Sequence, residues 1–286
     1  MARPGWRTLA IAMAVSATIG TGRARAYVRQ TVAGDPSRPL VWTRERVEVR
    51  PAWRSAQVVE TALADAALAA AMSAWNDAGG GCAGIELYAG PEATGARTNL
   101  DGGDPDGQNR IVWRAVEWPA DAAPEALALT TARYDPRSGR ILDADIDLNA
   151  VRWRWSAAPE PPADHHDLEN TLAHELGHLL GFAHTPDPEA TMFGSAEPGE
   201  TNKRDLAPDD VAAICEVYPA GRRLEGRPAR IDPVTLCGLA SSPRVGVRGT
   251  AIRSWLLALA LGAAIRRPRR PRRHVRPRST APRAGA

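Results

Sequence analysis

The sequence almost lacks lysine, and its central part lacks any excess of positive charge. Lysine occurs once, at Lys203, among 36 basic residues. Nine arginines lie in residues 266–283 and four in the first 25 residues, and neither segment contains an acidic residue. Without these arginines the formal net charge of +3 becomes roughly −10 for the rest of the chain. We therefore expect no nucleic-acid partner.

The sequence also lacks an apolar run of the roughly 20 residues that a membrane-spanning helix needs. The apolar run nearest the amino terminus, Leu9–Ile19, comes after Arg3 and Arg7. It is followed by Ala24-Arg25-Ala26, a small-residue cleavage pattern that is typical of secretory signal peptides. We interpret residues 1–26 as a signal peptide, with the mature chain starting near Tyr27. The alternative, a buried helix of a cytosolic protein, fits these small residues poorly.

Histidine is scarce as well, but three of the six histidines lie within residues 174–184. His174 and His178 are four residues apart, so on a helix they project from one side and can bind one metal ion. Glu175 is rotated about 100° from His174, which places its carboxylate beside the metal, where a general base is needed. Gly181 can adopt a positive φ and end the helix, so that His184 arrives as the third ligand.

Three histidine ligands define the kind of metal site. Zinc is four-coordinate in proteins, and a site with three protein ligands keeps its fourth position for water, whose pKa falls to about 7. The pattern therefore predicts a catalytic zinc site, with His174, His178 and His184 as metal ligands and Glu175 as the catalytic residue.

The pattern His-Glu-x-x-His-x-x-Gly-x-x-His resembles the zinc motif of the metzincin metalloproteases. Met192, in Ala190-Thr191-Met192-Phe193-Gly194, resembles the Met-turn that forms an apolar floor beneath the zinc in that clan. Residues 206–218 are similar to the last helix of the matrixin branch, with its leucine, paired aspartates and closing tyrosine. The resemblance covers residues 168–218 and implies a matrixin-like zinc endopeptidase.

The elements before the zinc helix follow the order of a matrixin-like domain. Residues 58–78 predict a helix whose core stripe is Leu68, Met72 and Trp75. Short apolar runs bounded by turn residues predict strands at 47–50, 85–88, 111–113, 127–134 and 141–148. The resemblance implies an α+β fold of the zincin/metzincin type: a twisted mixed, mostly parallel sheet with long helices and the zinc helix at the cleft. In that family the strand that corresponds to 127–133 forms the upper rim of the cleft and pairs with extended substrate.

The sequence departs from the animal matrixins at the second metal site of that group. Their structural zinc needs further histidines, and residues 27–164 contain none; Asp145 stands where the family has a strand histidine. We therefore expect one catalytic Zn²⁺ and no structural zinc. His165 and His166 precede the zinc helix, and exposed loop histidines are the preferred interpretation over a second metal site.

Two acidic clusters offer the oxygen ligands that Ca²⁺ prefers. The first comprises Asp143, Asp145 and Asp147, and the second Asp101, Asp104 and Asp106. A calcium site is one interpretation, and solvated turns or the polar face of a strand are the other. The alternation within residues 143–148 favours a strand face.

Three cysteines in an exported chain predict one disulfide and one remaining thiol. A bridge between the first and last helices occurs at a comparable place in the astacin branch of the clan. On that resemblance we pair Cys82 with Cys215, which leaves Cys237. The residues ahead of the domain in this sequence contain no cysteine, so we expect the matrixin cysteine switch, in which a propeptide thiolate binds the zinc, to be missing.

The chain changes composition after the predicted domain, residues 27–219. Residues 220–250 read as a linker, and residues 251–286 combine an apolar stretch, 254–265, with the arginine-rich end. Cys237, the apolar stretch and the arginines resemble the carboxy-terminal sorting signal of myxobacterial surface proteins. The alternative is a disordered basic tail.

These inferences combine into one functional hypothesis. We expect a bacterial protein, exported to the medium or the cell surface, that acts as a monomeric zinc endopeptidase on protein or peptide substrates. A zinc-bound water would attack the peptide bond with Glu175 as general base. Gly194 replaces a tyrosine that assists the oxyanion in astacins and serralysins. The alternative hypothesis is a zinc-containing surface protein that binds peptides with little or no peptidase activity.

Overall fold

The fold is given by a computed structural model that describes residues 27–120, 122–221, 232–235 and 240–241, the last two ranges by their backbone. The strands of these residues are β1 Val28–Arg29, β2 Thr31–Val32, β3 Asp35–Pro39, β4 Arg46–Ala52, β5 Glu86–Ala89, β6 Arg110–Arg114, β7 Ala128–Tyr134, β8 Ile141–Asn149, β9 Trp155–Ser156, β10 His166–Asp167, β11 Phe182–Ala183, β12 Ser195–Ala196, β13 Asp232–Thr235 and β14 Ala240–Ser241. The helices are α1 Thr61–Asn76, α2 Leu168–Leu179 and α3 Pro208–Val217, with short 3₁₀ turns at Trp53–Ser55, Ala78–Gly80, Asn99–Asp101 and Asn202–Arg204.

The main sheet has the strand order β13-β7-β8-β6-β4-β5. Strands β5, β4, β6 and β8 run parallel to one another, and β7 lies antiparallel to β8, with Thr130 opposite Ile146. The sheet is therefore mixed and mostly parallel, as expected, and each predicted strand is present. The apolar runs form strands because their side chains enter one core with the helices.

Helix α1 is shorter than the predicted 58–78. It begins after Glu60, which has an extended backbone, and it ends where three glycines adopt positive φ. Leu68, Met72 and Trp75 are buried, which confirms the predicted stripe. The indole N–H of Trp75 also donates a hydrogen bond of 2.8 Å to the carbonyl of Ala173, which fixes α1 against the zinc helix.

Helix α2 has a capped start and ends at the predicted glycine. The Asp167 side chain accepts a hydrogen bond from the backbone N–H of Asn170 at 2.7 Å, as an N-cap does. Gly181, with φ of 90°, ends the helix. The last carbonyls of a helix lack partners within it, and here Trp42 donates to that of Leu179 at 2.9 Å.

The predicted disulfide between Cys82 and Cys215 is confirmed, with Cα atoms 5.2 Å apart. It joins the turn after α1 to helix α3, across 133 residues of chain. Two backbone hydrogen bonds next to it, one of them from Ala220 to the Cys82 carbonyl at 2.8 Å, hold the end of the domain at the same turn. The covalent link therefore closes the fold around the sheet and the zinc helix.

Several predicted segments fall outside the part of the chain that the structure describes. They are the signal peptide, Cys237 and residues 251–286. Within the predicted linker, residues 232–235 and 240–241 form strands: β13 pairs with β7, and β14 pairs with β12. No helix of the described residues has both the length and the apolar character to span a membrane.

Candidate active site

The structure brings the three predicted histidine ligands together. Nε2 of His184 lies 3.1 Å from Nε2 of His174 and 3.1 Å from Nε2 of His178. Two of these rings come from one face of α2, and the third comes from the segment that returns after Gly181. Among the described residues, no other set of three or more His, Cys, Asp or Glu side chains places its ligand atoms this closely.

Backbone carbonyls orient the two helical histidines through Nδ1, the ring nitrogen that is not part of the triad. Nδ1 of His174 lies 2.6 Å from the carbonyl oxygen of Thr191, and Nδ1 of His178 lies 2.8 Å from that of Phe182. A carbonyl only accepts, so each Nδ1 carries the hydrogen and each Nε2 presents its lone pair toward the centre of the triad. Burial lowers the pKa of all three histidines, that of His178 to about 3. They are therefore neutral, as metal ligands must be.

Glu175 is completely buried beside the triad. The hydroxyl of Thr130, on β7, donates to its Oε2 at 2.6 Å and also lies 3.2 Å from its backbone carbonyl oxygen. One hydroxyl therefore ties the carboxylate to the strand at the cleft. Sequence reasoning missed Thr130, because a threonine in an apolar strand run gives no local sign of a partner 45 residues away.

Met192, at the predicted Met-turn, packs against helix α2. Met192 is 3% exposed, and a Cβ at Gly177 of α2 would collide with its sulfur atom. Asp210 of α3 holds this turn, because its carboxylate accepts the backbone N–H groups of Thr191 at 2.8 Å and Met192 at 3.3 Å. Asp210 is the second of the paired aspartates noted in the sequence. It therefore anchors the segment that contains Thr191, and the Thr191 carbonyl in turn orients His174.

Gly194 lies against His184, the predicted third ligand. A Cβ at this position would sit 2.6 Å from Nδ1 of His184, inside van der Waals contact. The chain therefore needs glycine here for a steric reason, and the following Ser195–Ala196, strand β12, borders the same side of the site.

The carboxylates of the first acidic cluster are buried and bonded to protein donors. Asp145 accepts the backbone N–H groups of Asn99 and Arg110, both at 2.7 Å, and burial raises its pKa to about 8. Asp147 pairs with Arg114 at 2.6 Å. The contacts of Asp145 fasten the loop between residues 99 and 110 onto β8, and a calcium site at these residues stays a prediction.

The prediction for one of the loop histidines was wrong. His166 is 2% exposed, because it lies in β10 and packs edge-to-face against Trp153 with ring centroids 5.2 Å apart. Burial lowers its pKa to about 4. The paired tryptophans that cover it lie ten or more residues earlier in the chain, which a local reading of the loop does not reveal.

The first described residues lie against helix α3. The backbone nitrogen of Tyr27 is 3.0 Å from Oδ1 of Asp209, and β1 pairs with β11 directly after the zinc helix. Oδ2 of Asp209 is buried and has no hydrogen-bond partner among the described residues. Gln30 follows β1 and brings its amide nitrogen to 3.2 Å from Nδ1 of His178. The amino-terminal stretch thus packs close to the metal ligands.

Together, the sheet, the zinc helix and the histidine triad define a metalloprotease-like site. Residues 114–219 match the family model described as Matrixin, a segment that includes α2, Met192 and α3. The matrixin family implies the zincin/metzincin fold and a catalytic zinc, in agreement with the mixed sheet and the triad.

Similar proteins carry metalloproteinase names. The chain is 41% identical over 69 residues to Metalloendoproteinase 1-MMP of Arabidopsis thaliana, covering 24% of this chain and 17% of that protein. It is 34% identical over 116 residues to Metalloendoproteinase 5-MMP of the same plant, covering 39% and 31%. It is 37% identical over 75 residues to Matrix metalloproteinase-16 of Homo sapiens, covering 26% and 11%. The alignments span less than a third of each relative, and with the family match they support a matrixin-like zinc metalloprotease.

Proposed function

We propose that this protein is an exported zinc endopeptidase that hydrolyses peptide bonds in protein or peptide substrates. The observation that carries the proposal is the convergence of three neutral histidine Nε2 atoms beside the buried carboxylate of Glu175. A protein that only bound metal would have no use for a carboxylate at that position.

The donor set fits zinc. Zn–N bonds of 2.0–2.1 Å in a tetrahedral site place neighbouring nitrogens about 3.3 Å apart. The two Nε2 separations of 3.1 Å in the triad are close to that value. Zinc held by His174, His178 and His184 would supply Lewis acidity toward a substrate carbonyl and a water of lowered pKa.

Glu175 performs the proton transfers in this proposal. Its carboxylate takes a proton from the attacking water and passes it to the leaving amine, so no covalent intermediate with the protein forms. Thr130 holds one carboxylate oxygen at 2.6 Å and so limits rotation of the base. Because Glu175 is excluded from bulk solvent, its proton goes to the reacting groups rather than to surrounding water.

Strand β7 is the proposed docking strand for substrate. It carries Thr130 and therefore runs directly past the general base. An extended peptide that pairs with its edge would bring main-chain carbonyls to the metal without requiring a particular side chain. Residues 194–197 differ from the Pro-x-Tyr wall of the matrixins, so side-chain preference is not carried over from them.

The contact at Tyr27 supports export and a mature chain that starts at this residue. Cleavage after Ala26 would turn the Tyr27 amide into an ammonium group with three donors. Asp209 offers one oxygen at 3.0 Å and a second, buried oxygen that needs a donor. Attachment to the cell surface through residues 251–286 is part of the same proposal and rests on their sequence.

The test is cleavage of a peptide library by the purified protein with and without a zinc chelator. The proposal expects cleavage that the chelator abolishes and added zinc restores. Zinc-loaded protein that binds peptides but cuts none of them would instead support the surface-binding hypothesis.

A further inference from the structure

Two strands from the predicted linker pair with the elements that border the candidate active site. Strand β13 runs antiparallel to β7, with Asp232 opposite Tyr134 and Thr235 opposite Thr131. Strand β14 runs parallel to β12, with Ala240 opposite Ser195. Without β13, β7 would be the open edge of the main sheet in the described part of the chain.

The ends of these two pairings lie next to residues that contact Glu175 and His184. Thr131, opposite the last residue of β13, directly follows Thr130, whose hydroxyl binds Glu175. Ser195, opposite the first residue of β14, directly follows Gly194, which packs against His184. Strand β13 therefore ends next to the residue that binds the general base, and β14 begins next to the residue that packs against the third histidine.

We propose that strands β13 and β14 are a built-in occupant of the substrate cleft, which makes the backbone hydrogen bonds to β7 and β12 that an extended peptide substrate would otherwise make. This inference rests on the proposed function, since that proposal assigns the edge of β7 to substrate. Pairing through the main chain is the way in which an exposed sheet edge binds a peptide. A tethered segment has an effective concentration in the millimolar range, so it competes with free peptides of ordinary affinity.

Competition of this kind has a specific kinetic signature. Saturating substrate displaces the segment, so kcat is unchanged, whereas the observed KM equals the intrinsic KM divided by the fraction of protein whose cleft is open. A segment with a merely structural role would change stability or kcat instead.

The experiment replaces two consecutive residues of β13 in the full chain, Val234→Pro with Thr235→Pro. Alternate residues of an antiparallel strand donate to the partner, so two consecutive prolines remove a donor whichever residue supplies it. Leu224→Pro with Glu225→Pro is the matched control, with the same number of prolines ahead of the paired residues. We expect KM for a peptide substrate to fall about threefold or more in the β13 variant, with kcat and the control unchanged.

A peptide added in trans provides the reverse test. A synthetic peptide of residues 230–243 carrying Cys237→Ser, so that no thiol binds the metal, should inhibit the β13 variant competitively. A scrambled peptide of the same composition should not inhibit it. Equal KM in wild type, the β13 variant and the control variant, together with no inhibition by the peptide, would overturn the inference.

Hydrogen exchange separates this inference from the proposed function. In a Glu175→Gln background, which prevents self-cleavage, the amides of β7 should exchange faster in the β13 variant than in the control. If exchange is faster in the β13 variant but none of the proteins with Glu175 cleaves peptides, the inference about the cleft stands and the proposed peptidase function is refuted. If the proteins cleave peptides but the β13 variant and the control have equal KM and equal exchange rates, the proposed peptidase function stands and the inference about the cleft is refuted.

Discussion

Thr130 gives the most specific prediction about the chemistry, because it was identified only from the structure. Thr130→Val keeps the branched shape of the side chain and removes the hydroxyl that donates to Glu175 Oε2 at 2.6 Å. A hydrogen bond to a charged group contributes about 1.5–3 kcal/mol, and 1.4 kcal/mol corresponds to a factor of ten. If that bond aligns the base in the transition state, kcat should fall about 10- to 100-fold with zinc content unchanged.

The adjacent residue supplies the control for this substitution. Thr131 is buried on the same strand, and its hydroxyl has no hydrogen-bond partner among the described residues. Thr131→Val should therefore leave kcat close to wild type, with stability equal or slightly higher, because a buried hydroxyl without a partner costs free energy. The assay is steady-state cleavage of a peptide, with zinc content measured on the same samples. A kcat for Thr130→Val within twofold of the Thr131→Val value would refute the role assigned to the hydroxyl.

Three further predictions concern the surroundings of the site. Gly194→Ala should weaken zinc binding about 10- to 100-fold, because its Cβ would displace the ring of His184; unchanged affinity in a zinc competition titration would contradict this. Mass spectrometry of protein from the native cell should show a chain that begins at Tyr27. Asp209→Asn should lower Tm by a few degrees, because it weakens the contact with the amino-terminal ammonium group of Tyr27. His166 has a pKa of about 4 in the folded protein against 6.5 for a free side chain, so its contribution to stability is present above pH 6.5 and is lost as the pH falls toward 4. The Tm of His166→Phe should therefore fall less than that of wild type when the pH is lowered from 6.5 to 4. An identical pH dependence of Tm in the two proteins would show that the histidine is not buried in the neutral form.

The parts of the fold that depend on local pattern could be predicted from the sequence. The four-residue spacing of His174 and His178 defines a helix face, and Gly181 marks the helix end, because both follow from backbone geometry over a single turn. The strands at the centre of the sheet were predictable for a similar reason, since short apolar runs between turn residues have few other ways to be buried. The disulfide followed from resemblance rather than from physical reasoning.

The contacts that complete the site join residues far apart in the sequence, and these were not predictable. Thr130 and Glu175 are brought together by the packing of β7 on α2, which no periodicity in either segment encodes. The roles of the two neighbouring aspartates also differ only through tertiary contacts: Asp210 holds the turn at Met192, whereas Asp209 meets Tyr27. The pairing of β13 was hidden because its surroundings, rich in proline, glycine and arginine, have the composition of a linker.

The central claim is that a single zinc site with Glu175 as its base hydrolyses peptide bonds. The most direct measurement compares wild type with Glu175→Gln, with zinc per chain determined by elemental analysis and peptide cleavage assayed on the same preparations. The account predicts one zinc ion in each protein, cleavage by wild type that a chelator abolishes, and a loss of nearly all turnover in the variant, because the ligands are intact and only the base is removed. Retention of most of the activity by Glu175→Gln, or zinc-loaded wild type that cleaves no peptide, would contradict it.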